Sequence, residues 1–202
     1  MVVIAIISLI ASFTFAELST NSYKLKTVAQ SLKANMNKAR LLSVKKSSVV
    51  YVDFDLDSDG GSDGTINKFY TLWCDLDKDQ KFTMEDQAGN SVSQKKDSVE
   101  FIEDIPLASG AAFGVVSSSD GGPTKGPPAQ KSDPPSSGPN LPGDGVSYGG
   151  DRVRFTPWGK STSGWAYLHI PNDENAGTYA VGTNNIGRIR STYFATNGGG
   201  WR

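Results

Sequence analysis

The first sixteen residues, MVVIAIISLIASFTFA, carry no charged side chain, and no Pro or Gly interrupts residues 1–46. From Glu17 the apolar positions take on a helical period. Leu18, Leu25, Leu32 and Ala39 recur every seven residues, and Val28, Ala29, Met36 and Leu42 fill neighbouring positions of the same stripe. Lys24, Lys26, Lys33, Lys38, Lys45 and Lys46 are scattered around it. Such a stripe predicts an amphipathic helix with one apolar face. The pattern as a whole predicts one continuous helix of about 46 residues, roughly 70 Å long at 1.5 Å per residue. Its first third suits lipid or a tight helical bundle, and its continuation suits packing on a globular head. We therefore divide the chain into a hydrophobic helix at 1–23 and a head at 24–202. The uncharged run by itself makes roughly 24 Å of helix, short of the roughly 30 Å hydrocarbon core. A signal peptide would place basic residues before the run, and here none precede it. A signal peptide joined to an ordinary helix remains the alternative.

After Lys46 the period falls to two. The stretches 47–56, 66–76, 98–105 and 111–116 are rich in β-branched and aromatic residues and read as strands. Strands resume at 152–158, 164–170, 178–182 and 186–195. Between these groups, residues 117–150 hold seven of the ten prolines, a composition that predicts a long exposed insert. The expected fold is α+β: a long N-terminal helix, hydrophobic then amphipathic, packed on an antiparallel β-sheet head.

Net charge is −1, so the overall balance gives no case for nucleic acid or an anionic membrane. Its distribution is uneven. Residues 17–46 carry seven Lys/Arg against one Glu, and residues 53–104 carry fourteen Asp/Glu against five Lys. Blocks of this kind point to faces with different partners. The single cysteine, Cys74, rules out an internal disulfide framework.

The acidic block contains two candidate calcium loops. In the first, Asp55, Asp57 and Asp59 alternate before Gly60, with Asp63 four residues further on. In the second, Asp75, Asp77 and Asp79 repeat the spacing, with Gln80 at the turn and Glu85 or Asp86 available to close the loop. Alternating carboxylates can converge on a hard cation, as at the start of an EF-hand loop. Solvated Asp/Gly turns are the plain alternative. No cofactor is required by anything in the sequence. His169 is the only histidine and lies in a predicted strand, Cys74 has no nearby base, and no Ser/His/Asp order or phosphate-cradling glycine loop occurs. An enzyme is not expected.

The opening stretch MVVIAII resembles the interior of the N-terminal segment of type IV pilins and type II secretion pseudopilins. In that family a short Phe-Thr-Leu-Ile-Glu-Leu-like stretch precedes it, which this sequence lacks together with the family's acidic residue and processing site. About six such residues would lengthen the apolar helix to roughly 33 Å. Ser8 stands where many members have Gly, and Ala16 where many have Pro, which weakens any tendency of the helix to break there. Val153, Phe155, Pro157 and Gly159 resemble a strand pattern of the GspH/FimT branch, and the final strand carries its Gly-Arg element as Gly187–Arg190, GRIR. The resemblance implies a structural subunit, pilin or pseudopilin, of a type IV pilin-like filament. It would polymerise with copies of itself or other pilins through Val2, Val3, Ile4, Ile6, Ile7, Leu9, Ile10, Phe13, Phe15 and Leu18. It further implies a single-pass location in a bacterial inner membrane, delivery by an inner-membrane assembly platform, and a final place in a cell-surface or periplasmic filament. In DNA-uptake members of the branch, Gly-Arg-x-Arg contributes to DNA binding, so Arg188 and Arg190 are the matching positions. Alternate strand residues project the same way, and two guanidiniums can engage phosphates. Secretion members carry a similar Gly-Arg without a DNA role, and both readings stay open.

Overall fold

A computed structural model describes residues 2–57, 66, 68–108, 110–128, 138–196 and 200–202, with the side chains of the first helix from Asn21 onward. That helix, α1, runs from Val2 to Lys46 without interruption. Its 45 residues span about 68 Å. It ends where Ser47 takes a left-handed conformation, φ 53°, with Lys45 and Lys46 in the last turn facing the negative end of the helix dipole. Leu25, Val28, Ala29, Leu32, Met36 and Ala39 are all buried in the core, as the stripe predicts. Among the described residues no helix is long and apolar enough to cross a membrane. The predicted polymerisation positions Val2 to Leu18 have side chains outside the described residues.

All eight predicted strands form: β1 (Val49–Asp53), β2 (Phe69–Asp75), β3 (Phe101–Pro106), β4 (Ala112–Phe113), β5 (Arg152–Phe155), β6 (Gly164–His169), β7 (Thr178–Thr183) and β8 (Ile189–Phe194). They make two four-stranded sheets rather than one, in the orders β3-β2-β1-β5 and β4-β6-β7-β8, with every pairing antiparallel. The tight β5–β6 turn joins the sheets, closed by Gly159 N–H donating to Thr156 O at 2.8 Å. Val50, Val52, Leu72, Val153 and Phe155 of the first sheet, and Ala166, Leu168 and Val181 of the second, bury against the helix stripe in one continuous core.

The alternate residues of the central strands are also apolar, so the far face of each sheet needs cover. On the first sheet Tyr51 stacks on Trp73, its cross-strand partner, with centroids 4.3 Å apart, and Phe82 from the acidic stretch packs edge-on against Trp73. On the second sheet Trp165, Tyr167 and Ala180 are covered by Val115, Leu141 and Trp201. The insert 117–150 is therefore not exposed along its length. Pro123, Pro127, Val146 and Tyr148 are buried, and Trp201 donates its indole N–H to Lys125 O at 2.9 Å. Prolines lack a donor but keep an apolar ring, so a Pro-rich segment can cover a sheet face without joining its ladder.

Candidate functional site

β2 turns sharply after Asp75 into the second acidic loop, and the loop is held by its own carboxylates. Asp77 accepts from the Asp79 amide at 3.1 Å and the Thr83 hydroxyl at 3.3 Å, while Asp79 accepts from the Lys81 amide at 2.7 Å. Lys78 and Gln80 both adopt positive φ, 69° and 64°. Gln80 thus occupies the left-handed position where a glycine is the usual choice. Arg152 donates to Gln80 O at 3.1 Å and lies over the Tyr51 ring, which fastens the loop to the first sheet.

The residue that closes this loop is Glu100, just before β3. Glu100 O accepts from Cys74 N–H at 2.8 Å, bringing the two chain segments side by side. Its buried carboxylate spans the loop, accepting from Leu76 N–H through Oε1 and from Thr83 N–H through Oε2, both at 2.8 Å. Carboxylate oxygens of Asp75, Asp77 and Glu100 lie within 4.8 Å of one another. Asp75 is 1% exposed, and its Oδ1 has no hydrogen-bond partner among the described residues. Burial pushes the Asp75 and Glu100 carboxyls above their ordinary range, and the charge of Asp77 adds to this for both. Asp77 goes the other way, held below its ordinary value chiefly by the Asp79 amide.

The other predicted calcium ligands are placed differently. Asp86 folds its own turn, accepting from Ala88 N–H and Asn90 N–H at 2.8 and 2.9 Å. Glu85 pairs through its backbone with Ser91 and accepts Val99 N–H at its carbonyl. Asp79 is exposed and outside the three-carboxylate group. In the first loop Asp55 is buried and Asp57 half-buried, whereas Asp59 and Asp63 lie outside the described residues.

The same region contains a buried lysine. Lys95 Nζ meets Asp104 at 2.9 Å, Thr71 Oγ1 at 3.0 Å and Leu56 O at 3.2 Å, over the Phe69 ring. This cation is satisfied by its partners, and it ties the acidic stretch to β2 and β3.

Arg188, just before β8, and Arg190 within it are both exposed, while Ile189 between them packs on the core. The Arg190 guanidinium sits 4.8 Å from the Trp165 ring centroid. Arg190 and Trp165, together with Arg202, Trp201 and Pro127, line a shallow cleft of about 170 Å³. Arg188 lies outside that cleft, and Arg152 and Arg154 belong to β5 in the other sheet, so the basic residues do not form one stripe.

The glycine of GRIR has a structural reason. Gly187 has φ +79°, and a Cβ there would overlap Gly159 O and approach Arg40 Nε at 3.1 Å. Gly159, at φ +72°, faces the same guanidinium, and Arg40 Nε donates to its carbonyl at 3.0 Å. The Ser43 hydroxyl adds a second contact, its one proton shared between Arg40 O at 2.8 Å in its own helix and Thr156 O at 3.0 Å. Three segments far apart in sequence therefore meet at one joint between α1 and the two sheets.

His169 lies at the end of β6, beside a hollow that Ser117, Asp173 and Glu174 also line. Its ring packs over Gly114, and burial lowers its pKa. The Cys74 thiol is buried and pushed up for the same reason.

No protein-family model matches the chain, and no curated protein matches it in sequence. Among solved structures it is similar to the minor pseudopilin EpsH from the type 2 secretion system of Vibrio cholerae, at 14% identity and a TM-score of 0.44, covering 85% of this chain and 97% of that one. It is also similar to the type IV minor pilin FimU of Pseudomonas aeruginosa, at 14% identity and a TM-score of 0.42, covering 83% of this chain and 87% of that one.

Proposed function

We propose that the chain is a non-enzymatic subunit of a type IV pilin-like filament, either pilin or pseudopilin. The observation that carries this reading is the division of labour along α1. Its second half is part of the core of a β head, and the same unbroken helix begins with fifteen uncharged residues, Val2 to Ala16. A helix whose apolar segment precedes its own head has a use for that segment in a bundle with equivalent segments of neighbouring subunits. Before assembly the run rests in the inner membrane, where an assembly platform receives it. In the filament, packing of Val2, Ile6, Leu9, Phe13 and their neighbours replaces lipid with other helices, and the head forms the outer surface.

Single cysteines introduced at Ile6 and Phe13 in a Cys74→Ser background test the bundle. In cells that make fibres, oxidation should yield ladders of cross-linked subunits, and sheared fibres should contain the chain by mass identification. A chain found only as a monomer in membranes overturns the reading. DNA capture through Arg188 and Arg190 has no comparable observation behind it, since two arginines release few counterions and Arg190 already rests on Trp165.

A further inference from the structure

We propose that Asp75, Asp77 and Glu100 form a calcium site that locks the acidic loop onto the far face of the first sheet. Two independent observations carry it. The first is the convergence of three carboxylates from two chain segments, with oxygens within 4.8 Å of one another. Ligand oxygens that share a calcium ion at 2.3–2.6 Å lie no more than about 5 Å apart. The second is the state of Asp75: it is 1% exposed and its Oδ1 has no hydrogen-bond partner among the described residues, although the Lys78 and Gln80 amides approach the carboxyl. A buried acceptor without a donor is costly, and a cation removes that cost while cancelling the repulsion among three carboxylates.

The donor set is all oxygen, which selects a hard cation over zinc or copper. Calcium fits better than magnesium because the ligands come from an irregular turn, and magnesium demands near-ideal octahedral geometry and gives up water reluctantly. Water completes the shell on the exposed side of Asp77. The site differs from an EF-hand loop in its closing acid. Glu100 comes from beyond the loop, beside β2, so the ion would bridge the end of one strand to the start of its neighbour. Because Glu100 also holds Leu76 and Thr83, and Phe82 packs on Trp73, calcium would tighten the cover over the Tyr51–Trp73 stack.

The test uses the full chain in detergent, stripped with EDTA and melted against increasing calcium chloride, with magnesium chloride as a parallel series. Calcium at a hundredfold over Kd should raise Tm by roughly 5–10 °C, saturably. Asp77→Asn keeps an oxygen for the Asp79 amide but removes the charge, and should abolish at least nine-tenths of that shift. Glu100→Gln should do the same, and if it fails to fold Asp77→Asn still decides. Terbium offers a second readout, since Trp73 lies two residues from Asp75 and should sensitise its luminescence until calcium displaces it. No calcium-dependent shift in the wild type overturns the proposal. A full shift retained in Asp77→Asn places the ion elsewhere and overturns it equally, and an identical magnesium shift overturns the assignment to calcium.

Discussion

Gly187 and Gly89 have the same backbone angle, φ +79°, in very different surroundings. Around Gly89 nothing lies within 4 Å of an added Cβ, whereas at Gly187 that atom would run into Gly159 O and Arg40. Alanine at either position pays the left-handed penalty of roughly 1 kcal/mol. At Gly187 it must also part Gly159 from Arg40, breaking the bond from Arg40 Nε that fixes α1 to the β5–β6 turn. Gly187→Ala should therefore cost about 3 kcal/mol and Gly89→Ala about 1 kcal/mol in urea unfolding. Similar losses at both positions would show that the joint adds nothing. The comparison also separates two meanings of GRIR, because a glycine needed for a close approach requires no ligand to explain it.

Along α1, burial alternates sharply with exposure. Leu32 is fully buried, whereas Leu41, nine positions on, is 70% exposed. Truncating Leu32 leaves a cavity between α1 and the sheets it packs on, so Leu32→Ala should lose about 3 kcal/mol. Leu41→Ala should change head stability by less than about 0.5 kcal/mol. Denaturant midpoints at constant m-value check both. The stripe was legible because a helix that buries one face must repeat its apolar residues every 3.6 positions. The strands were legible because a strand buries every second residue. Glu100 was not, since it is one acid among fourteen in residues 53–104. Only the pairing of β2 with β3 puts it beside Asp75. Lys95 was hidden for the same reason, reading as one solvated lysine of a KKD run until Asp104, Thr71 and Leu56 surround it.

At the scale of the molecule, buried titratable groups give stability a pH dependence with opposing contributions. Asp53, Asp75, Glu100 and Asp151 are raised by burial, so their protonation favours the folded state as pH falls. His169 opposes them. Burial lowers its pKa from the ordinary 6.5, so the stability of the neutral ring is complete above about 6.5 and is lost as pH falls through the depressed folded value. A hydrogen bond to the Gly114 backbone offsets part of that lowering. His169→Gln should consequently be less sensitive than the wild type to acidification from pH 7 to pH 5. Parallel Tm curves for the two proteins across that range would show that the imidazole does not titrate into the fold.

Hydrophobic periodicity by itself determined the long helix, its buried stripe and all eight strands, because each element's repeat is set by its backbone geometry. It also placed an uncharged segment ahead of an amphipathic one, which suits lipid or a helical bundle; a filament subunit is inferred in addition from the resemblance carried by MVVIAII and the Gly-Arg strand. Tertiary structure decided what depends on meetings between distant segments. Eight strands became two sheets because the β5–β6 turn folds over at Gly159, a bend that strand periodicity does not encode. The proline-rich insert became a cover because Trp165 and Tyr167 face outward and must be shielded from water. The acidic loop acquired its third carboxylate from across a strand pair, and Gly187 met Gly159 and Arg40 from three parts of the chain. Local pattern reports which face a residue turns toward the core; only the fold sets which residue it finds there.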